Sequence, residues 1–373
     1  MAGVYVHIPF CKTKCYYCDF YSVANHARMA ETVDAICREI TLRRDFLTEP
    51  VETLYFGGGT PSLCSPSQIA QIAECVTNNF DCSQLVEFTL EANPEQLTED
   101  YLSELKRIGV NRLSIGVQSL SDRILKFINR KHNAAQAVTA IVNAQRAGFE
   151  NISADLIYAI PGLTDEELEM SLTQLTALGV QHLSAYHLGI EQGTVFGRRL
   201  AEGAISEVSE QVSTQHYERV CRVLRGAGFE HYEISNFAKP TFRSRHNSSY
   251  WRGVPYLGVG PAAHSYDGHS RFWNVANVNE YLTLVDSLAH VEGEHLTQQD
   301  IYNEYIMIAL RTADGINLDE FCAKFGAEAL DNLLADSQPA RKIGNIIVTD
   351  QWLRIPEEKF LISDSIISEL FLG

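Results

Sequence analysis

Three thiols fall within eight residues near the start of the chain: Cys11, Cys15 and Cys18, spaced C-x3-C-x2-C. Cysteine often packs as a small hydrophobe, but Lys12, Lys14, Tyr16 and Asp19 surround these three and give the stretch a loop composition. The spacing matches neither one face of a strand nor one face of a helix. Ligand chemistry is the better reading. A zinc site or a C-x-x-C redox pair of Cys15 and Cys18 uses such spacings, although no second Cys or His pair follows to complete a structural zinc site. An iron–sulfur cluster is held by closely spaced thiolates. Three thiolates on four irons leave one iron open to a small chelating molecule. The stretches that follow favour the cluster.

The elements that must position this loop can be read in order. An apolar run, Val4 to Phe10, precedes the trio and reads as a strand. Further strands are expected at Thr53–Phe56, Val86–Glu91, Arg112–Val117, Ile152–Ile157 and His182–His187. Between them, 3.6-residue periodicity predicts helices over Arg28–Phe46, from Ser65, over Glu99–Ile108, over Ala134–Ala147, from Thr164 to Leu178, and over Val208–Arg225. Ser65 with Gln68 and Thr164 with Glu167 are capping-box patterns. Six strand–helix units imply a parallel sheet covered by helices. Without a nucleotide fingerprint, they lean towards an α/β fold built as a partial six-unit barrel.

In parallel barrels, functional groups gather at the C-terminal ends of the strands. The cysteine loop follows strand one, and Gly57-Gly58-Gly59-Thr60-Pro61 follows strand two. Glu91 ends strand three, Gln118 ends strand four, Asp155 lies late in strand five, and Tyr186 and His187 end strand six. These residues are expected to converge on one mouth. Each has a plainer reading: a turn for the glycines, an ion pair for Glu91, a surface side chain for Arg130.

A net charge of −17 argues against a nucleic-acid partner, which needs a basic surface to displace counterions. No apolar run is long enough to span a bilayer. The first strand begins almost at once, which leaves no room for a secretory signal. The six remaining cysteines are scattered and the total, nine, is odd. A reduced, cytoplasmic compartment fits better than a disulfide framework.

The trio and the strand-end residues resemble the radical S-adenosylmethionine enzymes. That resemblance implies a 4Fe-4S cluster on Cys11, Cys15 and Cys18, with S-adenosylmethionine on its open iron and a deoxyadenosyl radical as the product of cleavage. Tyr5, Gly58, Gly59, Thr60, Glu91, Gln118, Arg130 and Asp155 match, in order and spacing, the cofactor-binding residues of the oxygen-independent coproporphyrinogen III oxidase family. The same likeness implies the partial barrel. Two departures stand out. The oxidases carry a further cysteine two residues after the trio, where this chain has Phe20. They also have a long segment before their equivalent of Tyr5, where only four residues stand here. Both features are shared with the coproporphyrinogen oxidase-like branch of heme chaperones. The alternative is coproporphyrinogen III oxidation to protoporphyrinogen IX.

In the second half, His246-Asn-Ser-Ser-Tyr-Trp251 matches the HNxxYW motif of that branch. His246 and Tyr250 are thereby candidate heme ligands, with His264 a weaker one whose structural reading is favoured. Residues 1–236 are expected to form the barrel, 237–296 a linking region carrying the motif, and 297–373 a smaller α+β, winged-helix-like domain. Its parts would be helices Tyr302–Leu310, Leu318–Phe325 and Leu361–Leu370 and a hairpin about Asp350. The resemblance implies heme-accepting proteins as partners, membrane-bound respiratory enzymes among them. A homodimer is compatible with the sequence.

Overall fold

The computed structural model describes residues 1–372. Six parallel strands form its centre: β1 (Ala2–Ile8), β2 (Val51–Gly58), β3 (Glu87–Ala92), β4 (Arg112–Gln118), β5 (Asn151–Tyr158) and β6 (His182–His187). They pair in sequence order, each parallel to the next. Their residues are buried almost throughout, as parallel strands covered on both faces require.

Helices cover the outer face. They are α1 (Met29–Leu42), α2 (Pro66–Asn79), α3 (Glu99–Ile108), α4 (Asp122–Phe127), α5 (Ala134–Arg146), α6 (Asp165–Ala177), α7 (Val195–Ala201) and α8 (Glu210–Gly226). Both expected capping boxes form, at Ser65–Gln68 and Thr164–Glu167, and two more form at Asn133–Gln136 and Thr297–Asp300. Such caps contribute about 1 kcal/mol each by satisfying N–H groups that have no partner in the first turn. The short α4 and α7 were not expected. Neither is long enough to show a clear helical period.

Strand β1 does not close onto β6. After the antiparallel β7 (Glu230–His231) and β8 (Asn236–Ala238), helix α9 (Arg245–Trp251) leads into β9 (Tyr256–Val259). Strand β9 pairs parallel to the free side of β1, with Gly3 opposite Tyr256. Strands β10 (His264–Tyr266), β11 (Ser270–Asn274) and β12 (Val291–His295) extend the same sheet antiparallel, to twelve strands in all. The stretch expected to link two domains is thus part of the sheet. Helix α10 (Val278–Leu284) packs beside it on α1.

A buried carboxylate ties this extension to the barrel. Glu39 of α1 accepts hydrogen bonds from Arg43 (3.1 Å), Tyr281 (2.6 Å), Asn274 (2.8 Å) and the Gly260 N–H (2.8 Å), and His290 lies 3.3 Å away. Burial opposes ionisation of Glu39, but these donors outweigh it and hold the carboxyl below its ordinary value.

The C-terminal elements are α11 (Gln298–Leu310), β13 (Ile316–Asn317), α12 (Leu318–Phe325), α13 (Ala327–Asp336), α14 (Gln338–Lys342), β14 (Ile347–Val348), β15 (Trp352–Arg354) and α15 (Ser363–Ser368). The hairpin about Asp350 forms, and β13 adds a third strand to it. The last predicted helix is shortened, because a 3-10 turn occupies Glu357–Ile362.

Candidate functional site

Ten of the thirteen residues singled out from the sequence line one cavity of about 420 Å³ at the C-terminal ends of the strands. They are Cys11, Cys15, Cys18, Gly58, Gly59, Thr60, Glu91, Gln118, Arg130 and Asp155. Convergence at this end is what a parallel barrel dictates.

The glycines are needed for shape. Gly58 has φ +105°, and a Cβ there would sit 2.7 Å from the His7 ring. A Cβ on Gly59 would sit 2.7 Å from the Phe10 carbonyl oxygen. Only bare backbone passes between the cysteine loop and β2.

Glu91 accepts from the Tyr55 hydroxyl (2.7 Å) and from the Gly58 N–H (3.2 Å). Burial pushes its carboxyl up to about 7, against the pull of Tyr55, and the nearby Asp155 raises it further. Burial likewise pushes Asp155 up to about 6, although Ser184 and Ser114 donate to it, Ser114 at 3.1 Å. Two carboxyls poised near neutrality in one cavity suit a ligand that carries positive charge or hydroxyl donors.

Arg130 is not the surface residue that its local sequence suggests. Its guanidinium donates to Asn93 (2.5 Å), to the Gly116 carbonyl (2.6 Å) and to the Cys15 sulfur (3.5 Å). Asn93 in turn donates to Thr60 (3.2 Å), whose hydroxyl reaches the Cys11 sulfur (3.5 Å). A chain of donors therefore backs two of the three thiols. Gln118 sits at φ +65° where the register of β4 against β5 shifts, and its Oε1 is buried with no hydrogen-bond partner among the described residues. An unsatisfied acceptor at an irregular strand end marks a position where a ligand is expected to supply the donor.

The thiols fit a cluster better than a single ion. Among the described residues, no three His, Cys, Asp or Glu side chains converge on a point that one metal ion could occupy. A four-iron cluster would take Cys11, Cys15 and Cys18 on separate irons and so needs no single point of convergence. Burial pushes the Cys18 thiol up to about 11, and Cys15 and Cys11 add to this effect. Iron ligation reverses that preference, because a metal deprotonates its thiols outright. When bound, the cluster supplies single electrons to S-adenosylmethionine. The chain's own part is to hold the thiols with Arg130 and Thr60 behind them, and to face the cofactor with Glu91, Asp155 and Gln118.

Tyr5 lies outside this cavity, one layer deeper. Its ring stacks on Tyr55 (6.0 Å between centroids) and on His246 (6.4 Å), and its hydroxyl meets His7 Nδ1 at 3.2 Å. His246 and Tyr250 do not join the mouth either. His246 is 2% exposed, with Nδ1 at 2.8 Å from Thr53 Oγ1 and Nε2 at 2.8 Å from the Tyr250 hydroxyl. Burial pushes its imidazole down to about 3. Glu87 receives the N–H groups of Arg245 (2.8 Å) and His246 (3.0 Å) and so anchors the start of α9 beneath the sheet. As folded, His246 is a structural pin with both nitrogens engaged. Iron would reach Nε2 only with Tyr250 turned away. His264 lies at the outer sheet, exposed, with its ring 6.5 Å from that of Trp273.

Sequence reasoning missed Asn93 and Ser114, which line the cavity and orient Arg130 and Asp155. Asn93 stands two residues after Glu91 at the end of β3, and that position was the available signal.

The sequence profile of the Radical SAM superfamily matches residues 5–175, and that of the HemN C-terminal domain matches residues 296–361. The chain is 33% identical to the heme chaperone HemW of Lactococcus lactis over 373 residues, covering 97% of this chain and 98% of that protein. It is 36% identical to the heme chaperone HemW of Mycobacterium tuberculosis, over 90% of this chain and 87% of that protein. Among solved structures, coproporphyrinogen III oxidase (HemN) from Escherichia coli superposes with a TM-score of 0.85 at 23% identity, covering 99% of this chain and 90% of that one, which speaks for the fold. No described helix is long and apolar enough to cross a membrane. A radical S-adenosylmethionine core with its cluster loop intact, and identity to HemW proteins along nearly the whole length, mean that the chain belongs to the HemW family of the radical S-adenosylmethionine superfamily.

Proposed function

We propose that this protein binds heme and delivers it to acceptor proteins, with a 4Fe-4S cluster and S-adenosylmethionine at the barrel mouth. The observation that carries the reading is end-to-end identity with heme chaperones. Phe20 supports it: the position where the oxidases have a further cysteine holds a side chain 70% exposed at the rim of the cavity. Cytoplasmic residence and acceptors among respiratory enzymes, membrane-bound ones included, belong to the same proposal. Decarboxylation of coproporphyrinogen III is the less favoured reading.

The test uses protein reconstituted with iron and sulfide in the absence of oxygen. Hemin titration is expected to give a saturable Soret shift, and loaded protein is expected to pass heme to an apo-acceptor. With S-adenosylmethionine, reductant and coproporphyrinogen III, no protoporphyrinogen is expected. Turnover to protoporphyrinogen, or hemin uptake no greater than that of an unrelated acidic protein, would overturn the proposal.

A further inference from the structure

The cysteine loop has no ladder of its own. From Lys12 to Tyr17 it belongs to no helix or strand, and the backbone of such a loop must find its hydrogen-bond partners elsewhere. Two backbone groups flank Cys15, and the loop between α4 and α5 meets both. The Asn129 side-chain amide donates to the Lys14 carbonyl oxygen (2.9 Å), and the Tyr16 N–H donates to the Ile128 carbonyl oxygen (3.2 Å). Arg130 of the same loop reaches the Cys15 sulfur itself (3.5 Å). From the other side, the Phe196 N–H of α7 donates to the Tyr16 carbonyl oxygen (2.9 Å), and the Arg199 guanidinium lies 4.4 Å over the Tyr16 ring.

The loop that does the holding is itself fixed. The Asn129 N–H donates to the Lys126 carbonyl oxygen (3.2 Å) and the Arg130 N–H to that of Leu125 (2.8 Å). His132 is buried, with Nε2 3.0 Å from the Val117 carbonyl oxygen of β4 and Nδ1 3.6 Å from Glu95. Asn133 then caps α5. Within this frame Asn129 stands at φ +64°. Asparagine enters the left-handed region more readily than most side chains. Glycine would enter it as easily but has no amide to give to Lys14. The position therefore makes two demands, a left-handed backbone and a short side-chain donor, and asparagine meets both.

We propose that Asn129 is a positioning residue for the cluster: its amide fixes the backbone at Lys14, and through it the direction of the Cys15 thiol, so that the loop is shaped before iron arrives and keeps the cluster afterwards. Asn129 does not line the cavity and acts only through the cysteine loop. The proposal rests on the cluster reading above. Partners one shell behind a metal ligand commonly change metal retention by about tenfold or more when removed.

The experiment measures cluster loss on full-length protein reconstituted with iron and sulfide without oxygen. Visible absorbance is followed after addition of an iron chelator, and melting of the iron-free protein is followed by circular dichroism. Asn129→Gly keeps the backbone conformation and removes only the amide. It is expected to lose its cluster about tenfold faster than the wild type, with an unchanged melting curve before iron is added. Asn129→Ala, which keeps the Cβ, is expected to change the rate in the same direction. Asn79→Ala is the control, because Asn79 makes a like bond to a carbonyl, that of Cys75 (2.8 Å), away from the site; it is expected to lose its cluster at the wild-type rate. Wild-type rates in both Asn129 variants, or equal acceleration in the control, would overturn the assignment while leaving the cluster reading intact. A wild type that builds no cluster would instead overturn the reading on which the assignment depends.

Discussion

Glu91→Gln is expected to leave the protein less able to hold its cofactor, and to change its stability with a sign that depends on pH. Glu91 ionises with difficulty because it is buried: its carboxyl is raised from 4.5 to about 7. A carboxyl raised by folding favours the folded state below its unfolded value. That advantage is lost as pH climbs through the folded value. At about 1.4 kcal/mol per unit, the full shift is about 3 kcal/mol. Glu91 lines an open cavity and interacts with Asp155, so water and coupling reduce the usable part to about 2 kcal/mol. Glutamine carries no charge to desolvate and keeps one acceptor for Tyr55 or the Gly58 N–H, at a cost of about 1 kcal/mol for the other bond. In urea unfolding, the variant should therefore be less stable than the wild type by about 1 kcal/mol at pH 5 and more stable by about 1 kcal/mol at pH 8. On cluster-loaded protein, S-adenosylmethionine affinity of the wild type should rise with pH through about 7, while the variant binds weakly at every pH. A stability difference that does not change between pH 5 and pH 8 would refute the reasoning, because it would mean that Glu91 titrates normally.

Four further outcomes are expected. Glu39→Gln should destabilise the chain by about 3 kcal/mol or more, measured by denaturant midpoint, since it leaves Arg43 buried without a counter-charge; the wild-type advantage, carried by a depressed carboxyl, should fade as pH falls through that lowered value. Gly58→Ala should cost about 1–3 kcal/mol through its left-handed backbone and the His7 clash, and should lower cluster occupancy in iron and sulfide assays. Arg130→Lys should keep the charge but lose the fork that joins Asn93, Gly116 and Cys15, and reconstitution should yield a cluster that bleaches faster in air. His246→Phe should lower stability by about 1–3 kcal/mol by leaving Thr53 and Tyr250 without a partner; hemin affinity per folded molecule should be unchanged, and its loss with the fold intact would restore His246 as an iron ligand.

The mouth was readable because its residues obey local rules. A strand followed by Gly-Gly-Gly, or by an acid in an apolar run, shows in a short window, and the parallel topology then carries each to the same end. Capping boxes at Ser65 and Thr164 are likewise local. What escaped the sequence is long-range. Glu39 gathers Gly260, Asn274, Tyr281 and His290 from more than two hundred residues away, and nothing near any of them announces the others. The pairing of β9 with β1 is of the same kind, since a four-residue strand carries too little pattern to name its neighbour. Tyr5 and His246 were placed by motif, and motifs do not report depth. Tyr5 fell in a layer beneath the mouth to which the pattern assigned it, and His246 lies against it there.

That layer is a column of rings. Tyr5 and Tyr55 lie against His246 (6.4 and 4.9 Å), His246 against Tyr250 (4.9 Å), and Tyr250 against Tyr256 (4.6 Å), while the Tyr55 hydroxyl holds Glu91. The wall between the cofactor chamber and the motif helix is thus made of side chains that touch in series. A ligand that draws the Glu91 carboxylate competes with Tyr55 for it, and the next ring in the series is the pin of α9. Thermodynamic reciprocity then links the two ligands: whatever factor S-adenosylmethionine imposes on heme affinity, heme must impose on S-adenosylmethionine. One titration performed from each end, with the other ligand present and then absent, measures the same number twice.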